Sequence, residues 1–335
     1  MIHTENAIST QSIIDAHGRI LPYIKNTPLI RSEKLEELFD GAQIYLKLEN
    51  LQHTGSFKIR GVANKMLSLG EEELARGVTA ASSGNHAQAV AYMAAKLGTK
   101  ATIVMPENAP TAKIEGAIGY GAQVVLYGFT GEDRDYKCSE LIETYGYSLI
   151  HSHTDSLVIE GHATVVAEIA NQIRSLANVN LDEIVFPCGA GSLASGGALI
   201  SKYLMPNTLT TAVEPAAVPR FTQSIKSGKP VTVEMGQTFA DGLRVSKAEP
   251  INYELIRDYV EHLITIEESS IYQGVCQMAL SGKIVAEPSA CVGLAAALEG
   301  KIDMSTGRKV CFIITGGNMD GQVLADVLSL PAYNE

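Results

Sequence analysis

The sequence has little positive charge and no long apolar run. Its 26 Lys and Arg residues stand against 37 Asp and Glu residues, which gives a net charge of −11, and the basic residues form no cluster. Because nucleic acids and anionic membranes bind to concentrated positive charge, we expect neither as a partner. The N-terminus has no basic segment followed by an apolar core, and no apolar run approaches the roughly 18 residues of a membrane span. These absences predict a cytoplasmic protein with small-molecule ligands.

Cysteine is sparse and follows no motif. The five cysteines are odd in number, widely spaced and free of any CxxC pattern, as expected of reduced thiols in a reducing compartment. No low-complexity tract or internal repeat interrupts the 335 residues, and 46% of them are hydrophobic. The chain is therefore long and apolar enough for two modest domains or one large one.

Short apolar runs alternate with stretches of helical periodicity. In residues 84–98, GNHAQAVAYMAAKLG, apolar side chains recur at spacings of three and four and form one stripe, which is typical of an amphipathic helix. Strands that alternate with helices indicate parallel sheets and an α/β fold. The predicted strands are residues 101–105, 123–127, 147–150, 183–186, 209–213 and 310–314.

Small and polar residues follow several of these strands. Examples are SSGN at 82–85, CGAGS at 188–192 and TGGN at 315–318. Ligands bind at the carboxyl edge of a parallel sheet, because helix N-termini and free backbone amides converge there. The sequence therefore predicts a site built from several of these loops.

The glycine-rich stretch CGAGSLASGG, residues 188–197, enters a helix directly after a strand. Small side chains let the backbone approach a ligand closely, so the amides of residues 189–193 can converge on one anion, such as a phosphate. The alternative is that the glycines serve packing alone. The stretch lacks the Lys-Ser/Thr pair of a Walker loop and the GxGxxG spacing of a dinucleotide site.

Lys58 lies between Phe57 and Ile59 in the stretch LENLQHTGSFKIRG, residues 48–61. Burial beside an aromatic ring disfavours the charged form of a lysine and lowers its pKa, and the neutral amine can then capture an aldehyde as a Schiff base. The alternative is an ordinary solvated charge at the start of a helix.

Together with SSGNHAQA, ADG at 240–242, AEPSACVGLAA and TGGN, these two stretches resemble the fold type II pyridoxal-phosphate enzymes, and specifically the threonine/serine dehydratase and serine racemase family. The resemblance runs from about residue 27 to about residue 320. It implies an α/β fold of two three-layer domains around mostly parallel sheets, with pyridoxal 5′-phosphate in the cleft between them. Residues 1–50 and 156–335 would form the large domain and residues 51–155 a small mobile domain. The resemblance also implies a homodimer.

The resemblance assigns roles to individual residues. It makes Lys58 the Schiff-base lysine and Phe57 the ring packed against the cofactor, and it places Thr315 at the pyridine nitrogen. A hydroxyl there does not force that nitrogen to stay protonated, so the ring withdraws electrons less strongly and elimination is favoured. The other implied cofactor contacts are Asn85 at the phenolic oxygen, Gly189, Ala190, Gly191, Ser192 and Leu193 around the phosphate, and Gly242 and Glu287 beside the ring. The substrate carboxylate is assigned to Ser56, Ser82, Ser83, Asn85 and His86.

The implied activity is that of an ammonia-lyase, which eliminates water from a β-hydroxy amino acid to give a 2-keto acid and ammonia. Threonine, serine and acidic relatives such as 3-hydroxyaspartate are the candidate substrates. A racemase of serine or aspartate, with Lys58 and Ser83 acting on opposite faces of the cofactor, is one alternative. A ligand sensor without catalysis is another, although a sensor has no need of Lys58. For Ser83 itself, the alternative role is to cap the helix that begins near Asn85.

Two positions depart from the family pattern. The phosphate loop reads GAGS where close relatives have four glycines, so Ser192 adds a hydroxyl. Relatives bind a divalent cation with a Glu at the position of Glu214 and an Asp six residues later, where this chain has Arg220. A guanidinium is unfavourable beside a cation, so we expect no metal site and a pairing of Arg220 with Glu214. Alternatively, Arg220 reaches a substrate carboxylate. His162, at a probable helix start, is a candidate substrate contact.

Overall fold

A computed structural model describes residues 8–176 and 179–330, and within them the chain forms two sheets. The strands are β1 (Leu29–Arg31), β2 (Gln43–Leu48), β3 (Val78–Ala81), β4 (Ala101–Met105), β5 (Gln123–Leu126), β6 (Ser148–Leu149), β7 (Glu183–Pro187), β8 (Leu209–Pro215), β9 (His262–Ile266) and β10 (Lys309–Ile314).

The two sheets are parallel except at one edge. The large sheet has six strands in the order β1-β2-β10-β7-β8-β9, and only the pairing of β1 with β2 is antiparallel. The small sheet has four parallel strands in the order β5-β4-β3-β6. This is the α/β fold that the alternation of apolar runs and helical stretches predicts.

Helices cover both sheets and connect their strands. They are α1 (Thr10–Ile20), α2 (Glu33–Glu36), α3 (Lys58–Met66), α4 (Glu71–Arg76), α5 (Asn85–Leu97), α6 (Thr111–Gly119), α7 (Gly131–Tyr145), α8 (Ser156–Ser175), α9 (Ser192–Leu204), α10 (Arg220–Ser227), α11 (Pro250–Tyr259), α12 (Glu268–Leu280), α13 (Pro288–Leu298) and α14 (Gly321–Leu328). No helix in the described part of the chain combines the length and apolar composition that a bilayer crossing requires.

Alternate residues of the strands pack into separate cores, one on each face of a sheet. In β10, Phe312 joins a core with α12 and α13, whereas Ile313 joins a core with α8 and α9. In β4, Ile103 faces the core shared with α3 and α5, and Val104 faces Cys138 on α7. Successive side chains of a strand point to opposite faces, so each sheet is the middle of three layers.

The amphipathic stretch at residues 84–98 forms α5, which begins at Asn85 and ends before Gly98. Gly98 has φ of 67°, in the left-handed region where glycine carries no penalty, so it stops the helix. All six predicted strands are present, with ends that differ by at most two residues. The strands of the small sheet lie between residues 78 and 149, and the domain boundaries at residues 50 and 156 stay a prediction.

The five cysteines are all buried. Cys138 lies in the outer layer of the small sheet, and the other four lie in the two cores of the large sheet. Burial raises the pKa of every one of these thiols, because a thiolate is poorly solvated there.

Candidate active site

A cavity of about 300 Å³ lies between the carboxyl edges of the two sheets. Its wall is formed by residues that follow β3 in the small sheet and by residues that follow β7 and β10 in the large sheet. The predicted site residues in this wall are Phe57, Lys58, Ser82, Ser83, Asn85, His86, Gly189, Ala190, Gly191, Ser192, Leu193, Gly242, Glu287 and Thr315. Ser56 is not among the lining residues: it is fully buried and forms an isolated bridge with Gly316.

Lys58 is the first residue of α3 and reaches the cavity wall. Its Nζ lies 4.7 Å from the centre of the Phe57 ring. Dehydration at this position lowers the pKa of Lys58 to about 8, against the opposing charge of Glu287. An amine with this pKa is substantially neutral near pH 8, which is the form that reacts with an aldehyde or accepts a proton.

The phosphate loop, residues 189–193, connects β7 to α9 and passes close to its neighbours. Gly191 has φ of 91°, and a Cβ atom added there would lie 2.6 Å from the ring of Phe221. A Cβ atom on Gly189 would lie 3.1 Å from the carbonyl oxygen of Gly242. Since α9 begins at Ser192, the amides of its first turn have no partner within the helix and are available to an anion.

His162 supports the phosphate loop from behind. Its Nδ1 lies 3.0 Å from Oγ of Ser192, and its ring packs edge-on against Phe57 at 4.7 Å between centroids. Burial holds the pKa of His162 well below its usual range, with a further contribution from Lys58, so the ring is neutral. His162 is absent from the cavity wall, and the prediction that it is a substrate contact is therefore wrong.

Asn85 and Glu287 are joined across the cavity. The side-chain amide of Asn85 donates to both carboxylate oxygens of Glu287, at 3.0 and 3.1 Å, and its Oδ1 accepts a hydrogen bond from Asn318 at 2.8 Å. Burial raises the pKa of Glu287 to about 7, although the Asn85 hydrogen bond opposes the shift. This carboxyl group can therefore hold or release a proton near neutral pH.

The comparisons with known proteins agree with this geometry. The model of a family described as "Pyridoxal-phosphate dependent enzyme" matches residues 20–316. The chain belongs to this family. The enzyme is 37% identical to the L-threo-3-hydroxyaspartate ammonia-lyase of Saccharomyces cerevisiae, over 95% of both chains. It is 37% identical to the L-threonine ammonia-lyase of Thermotoga maritima, over 96% of this chain and 78% of the relative.

A solved structure supports the same assignment. The serine racemase of Dictyostelium discoideum superposes with a TM-score of 0.86 at 37% identity, covering 93% of this chain and 99% of that one.

The residues of the enzyme fit pyridoxal 5′-phosphate. The cofactor has an aldehyde and a phosphate ester on adjacent carbons of its ring, and the cavity offers the amine of Lys58 and the amides of the phosphate loop in one wall. A Cβ atom on Gly191 would clash with the Phe221 ring, and one on Gly189 would be tightly placed against the Gly242 carbonyl, so glycine at both positions lets the loop follow its path without a crowded contact. Lys58 would hold the aldehyde carbon and the loop would hold the phosphate.

Ser83 is not the cap of α5. The N-cap residue is Gly84, no side chain caps the helix, and Ser82 Oγ accepts a hydrogen bond from the Gly84 amide at 3.3 Å. The alternative interpretation of Ser83 as a helix cap is therefore wrong, because the helix begins one residue too late for it. Ser83 instead lines the cavity.

Arg220 does not reach the cavity. It is fully buried, and its Nη1 lies 3.6 Å from the carboxylate of Glu214, as the sequence predicts. Its Nη2 donates to the carbonyl of Cys188 at 2.9 Å. The alternative, in which Arg220 reaches a substrate carboxylate, is wrong because the guanidinium is used inside the protein. Within residues 8–176 and 179–330, no group of three or more His, Cys, Asp or Glu side chains is placed to hold a metal ion.

Several charged and polar residues of the cavity wall are not predicted from the sequence. Lys113 on α6 donates to Asp241 at 3.0 Å, and this pair joins the small-sheet side of the cavity to the large-sheet side. Lys113 sits in a stretch of ordinary charged composition, and the ADG motif that contains Asp241 indicates no ion pair, so no local signal marks the pairing. The other unpredicted polar lining residues are Arg134, Ser152, His153, Arg244 and Ser289.

Proposed function

We propose that the enzyme is a lyase that removes water from a β-hydroxy amino acid and yields a 2-keto acid and ammonia. The observation that carries the proposal is the Lys58 amine, with its lowered pKa, in the same cavity wall as the phosphate loop. When bound, pyridoxal 5′-phosphate supplies an electron sink that acidifies the Cα–H bond of an amino acid. The names of the yeast and Thermotoga relatives support the same reaction class.

Lys58 is the base of the proposed reaction. Its amine takes the α-proton, for which a pKa of about 8 is well matched to neutral pH, because the neutral amine is populated and is still basic enough to hold the proton. The ring of Phe57 beside Nζ keeps bulk water from one side of the amine. The α-proton taken from the substrate is thus held at Nζ of Lys58.

The substrate carboxylate is assigned to the start of α5. Ser82 and Ser83 line the cavity immediately before this helix, and the helix N-terminus favours a negative charge through its free amides. His86 is anchored instead: its Nε2 lies 2.8 Å from the carbonyl of Ile150, and burial lowers its pKa to about 3. A neutral imidazole leaves the amides and hydroxyls as the groups that bind the carboxylate.

Among the candidate substrates, the cavity favours one with a second carboxylate. Three cationic side chains besides Lys58 line the wall, namely Lys113, Arg134 and Arg244, and the carboxylate of Asp241 pairs with one of them. A substrate such as 3-hydroxyaspartate has a second carboxylate that can pair with Arg134 or Arg244, whereas threonine and serine have none.

The test is release of ammonia and keto acid by cofactor-loaded protein from the L- and D-forms of threonine, serine and 3-hydroxyaspartate. Lys58→Ala should lower release by about 10³-fold, because positioned proton transfer contributes roughly 10²–10⁴-fold. Lys65→Ala is the matched control, since Lys65 lies on the same helix, pairs with Asp155 and is outside the cavity. If the protein with bound cofactor releases ammonia and keto acid from none of these amino acids, the proposal is contradicted.

A racemase is the second candidate activity. Its supporting observation is that Ser83 lines the cavity with a hydroxyl that is not used to cap α5. Such a hydroxyl can return a proton to Cα from the face opposite Lys58. The name of the Dictyostelium discoideum relative, a serine racemase, supports this candidate.

We also propose a homodimer in the cytoplasm, with a large domain of residues 1–50 and 156–335 and a small mobile domain of residues 51–155. The division of the strands between two sheets supports the domain boundaries. Light scattering of the purified protein tests the dimer, and a molar mass near that of one chain would contradict it.

A further inference from the structure

Arg220 is a buried charge that the proposed reaction does not use. It begins α10, has no exposed surface and lies outside the cavity wall. A guanidinium is costly to dehydrate unless its donors meet acceptors. The groups that accept its hydrogen bonds therefore indicate why the chain keeps it there.

The acceptors come from three separate segments of backbone. Nη2 donates to the carbonyl oxygen of Cys188 at 2.9 Å, and Nη1 donates to the carbonyl oxygens of Val218 at 3.2 Å and Leu243 at 3.5 Å. The carboxylate of Glu214 lies 3.6 Å from Nη1 and balances the charge. One planar cation thus joins the end of β7, the turn after β8 and the segment at Leu243.

Two of these segments form the cofactor side of the cavity. Cys188 directly precedes the phosphate loop, and Leu243 directly follows Gly242, which lines the cavity. The same two segments touch where Gly189 passes the carbonyl of Gly242. The guanidinium therefore fixes the loop to the neighbour against which it packs.

Glu214 connects the same cation to α10. Its carboxylate accepts hydrogen bonds from the amides of Phe221 and Thr222, at 3.0 and 2.8 Å. The ring of Phe221 fills the space beside Gly191, where a Cβ atom would lie only 2.6 Å away. The start of α10 thus supports the phosphate loop at two points: Arg220 bonds to Cys188, directly before the loop, and Phe221 packs beside Gly191, in its middle.

We propose that Arg220 is a positioning residue for the cofactor phosphate. Its guanidinium binds the carbonyls of Cys188 and Leu243 together and keeps the amides of the phosphate loop aimed at one point. Arg220 touches neither cofactor nor substrate, so its loss should weaken recognition of the phosphate and spare the reaction of Lys58 with an aldehyde.

The test compares two probes that differ only in the phosphate. The holoenzyme is stripped of cofactor and titrated with pyridoxal 5′-phosphate and with pyridoxal, and binding is followed by the absorbance of the lysine adduct. Arg220→Lys keeps the charge but cannot span the same carbonyls. We expect it to lower the affinity for pyridoxal 5′-phosphate by about tenfold, as for loss of a hydrogen bond to a charged group. The affinity for pyridoxal should stay as in the wild type.

Lys47→Met is the matched control. Lys47 is also fully buried and bonds to the carbonyl of Thr27 and to Glu168, none of which lines the cavity. This variant should lower the melting temperature and leave the ratio of the two affinities unchanged. If Arg220→Lys lowers both affinities equally, or if Lys47→Met changes the ratio as much, the positioning role is overturned.

A second variant keeps the test decisive if Arg220→Lys does not fold. The double change Glu214→Gln with Arg220→Met removes both charges together and keeps similar volumes, which buried ion pairs often tolerate. We expect the same selective loss of affinity for the phosphorylated probe. A double variant with the wild-type ratio would refute the proposal.

Discussion

Ser83 is the residue whose substitution distinguishes the two candidate activities, elimination and racemisation. Its side chain lines the cavity without capping α5, so a substitution there tests chemistry without removing a helix cap. We predict that Ser83→Ala retains elimination with a raised KM, because Lys58 alone takes the α-proton while the substrate carboxylate loses one hydroxyl partner. Any conversion of L-serine or L-aspartate into the D-form should fall by about 10²-fold, the lower end for a lost proton donor.

The measurement is chiral chromatography of the amino acid alongside the keto-acid assay. Wild-type protein that produces no D-enantiomer removes the racemase from consideration. A Ser83→Ala variant that still interconverts the enantiomers at the wild-type rate shows that another group returns the proton.

At the scale of elements, the turn from β7 into α9 depends on Gly191. Alanine there is opposed both by φ of 91° and by the Phe221 ring, 2.6 Å from the new Cβ atom. Gly191→Ala should cost about 1–3 kcal/mol of unfolding free energy and also weaken cofactor binding. Urea unfolding and cofactor titration measure the two effects.

Gly228→Ala separates backbone strain from the clash. Gly228, which follows α10, has φ of 70°, but a Cβ atom there has no neighbour within 4 Å. Gly228→Ala should lower the unfolding free energy by about 1 kcal/mol, because alanine is strained in a left-handed backbone conformation. It should leave cofactor affinity unchanged. Equal losses of cofactor affinity in the two variants would contradict a specific role for the turn at Gly191.

The elements near the site differ in how far sequence could predict them. The phosphate loop and α5 were predictable because glycine spacing and apolar periodicity are local signals. Arg220 was predicted to pair with Glu214, but its bonds to the carbonyls of Cys188 and Leu243 were not, because backbone acceptors leave no mark in the sequence. The pairing of Asn85 with Glu287 joins residues 202 positions apart, and only the fold brings them together.

At the scale of the whole molecule, a buried ionic network joins the two sheets. The carboxylate of Glu168 on α8 binds Lys47 on β2 at 2.5 Å and Arg60 on α3 at 3.1 Å. Arg60 also bonds to Glu49 at 2.7 Å. Removing one charge from a buried network leaves the others unbalanced, so Glu168→Gln should cost about 3 kcal/mol of unfolding free energy at pH 7.

The effect of Glu168→Gln should depend on pH. Burial alone raises the pKa of Glu168, but the charges of Arg60 and Lys47 hold it below its ordinary value. A lowered folded-state pKa stabilises the protein above the unfolded value of about 4.3, and this contribution is lost as the pH falls through the folded-state pKa. The difference in unfolding free energy between the wild type and Glu168→Gln should therefore become smaller as the pH falls.

Urea unfolding at several pH values measures this difference, with Glu37→Gln as the control. Glu37 forms an exposed pair with Lys34, so that variant should cost less than about 1 kcal/mol at any pH. A loss of stability from Glu168→Gln as small as that of the control would contradict the role of the network.

The burial of all five cysteines makes the native protein inert toward alkylating reagents. Each thiol is then exposed only when its own surroundings open. Cys138 alone lies in the small sheet's outer layer with Val104 and Leu141, whereas the other four lie in the cores of the large sheet. The alkylation rate of each cysteine can be resolved by mass spectrometry. The rate at Cys138 thus reports local opening around the small sheet, and the other four rates report local opening around the large sheet.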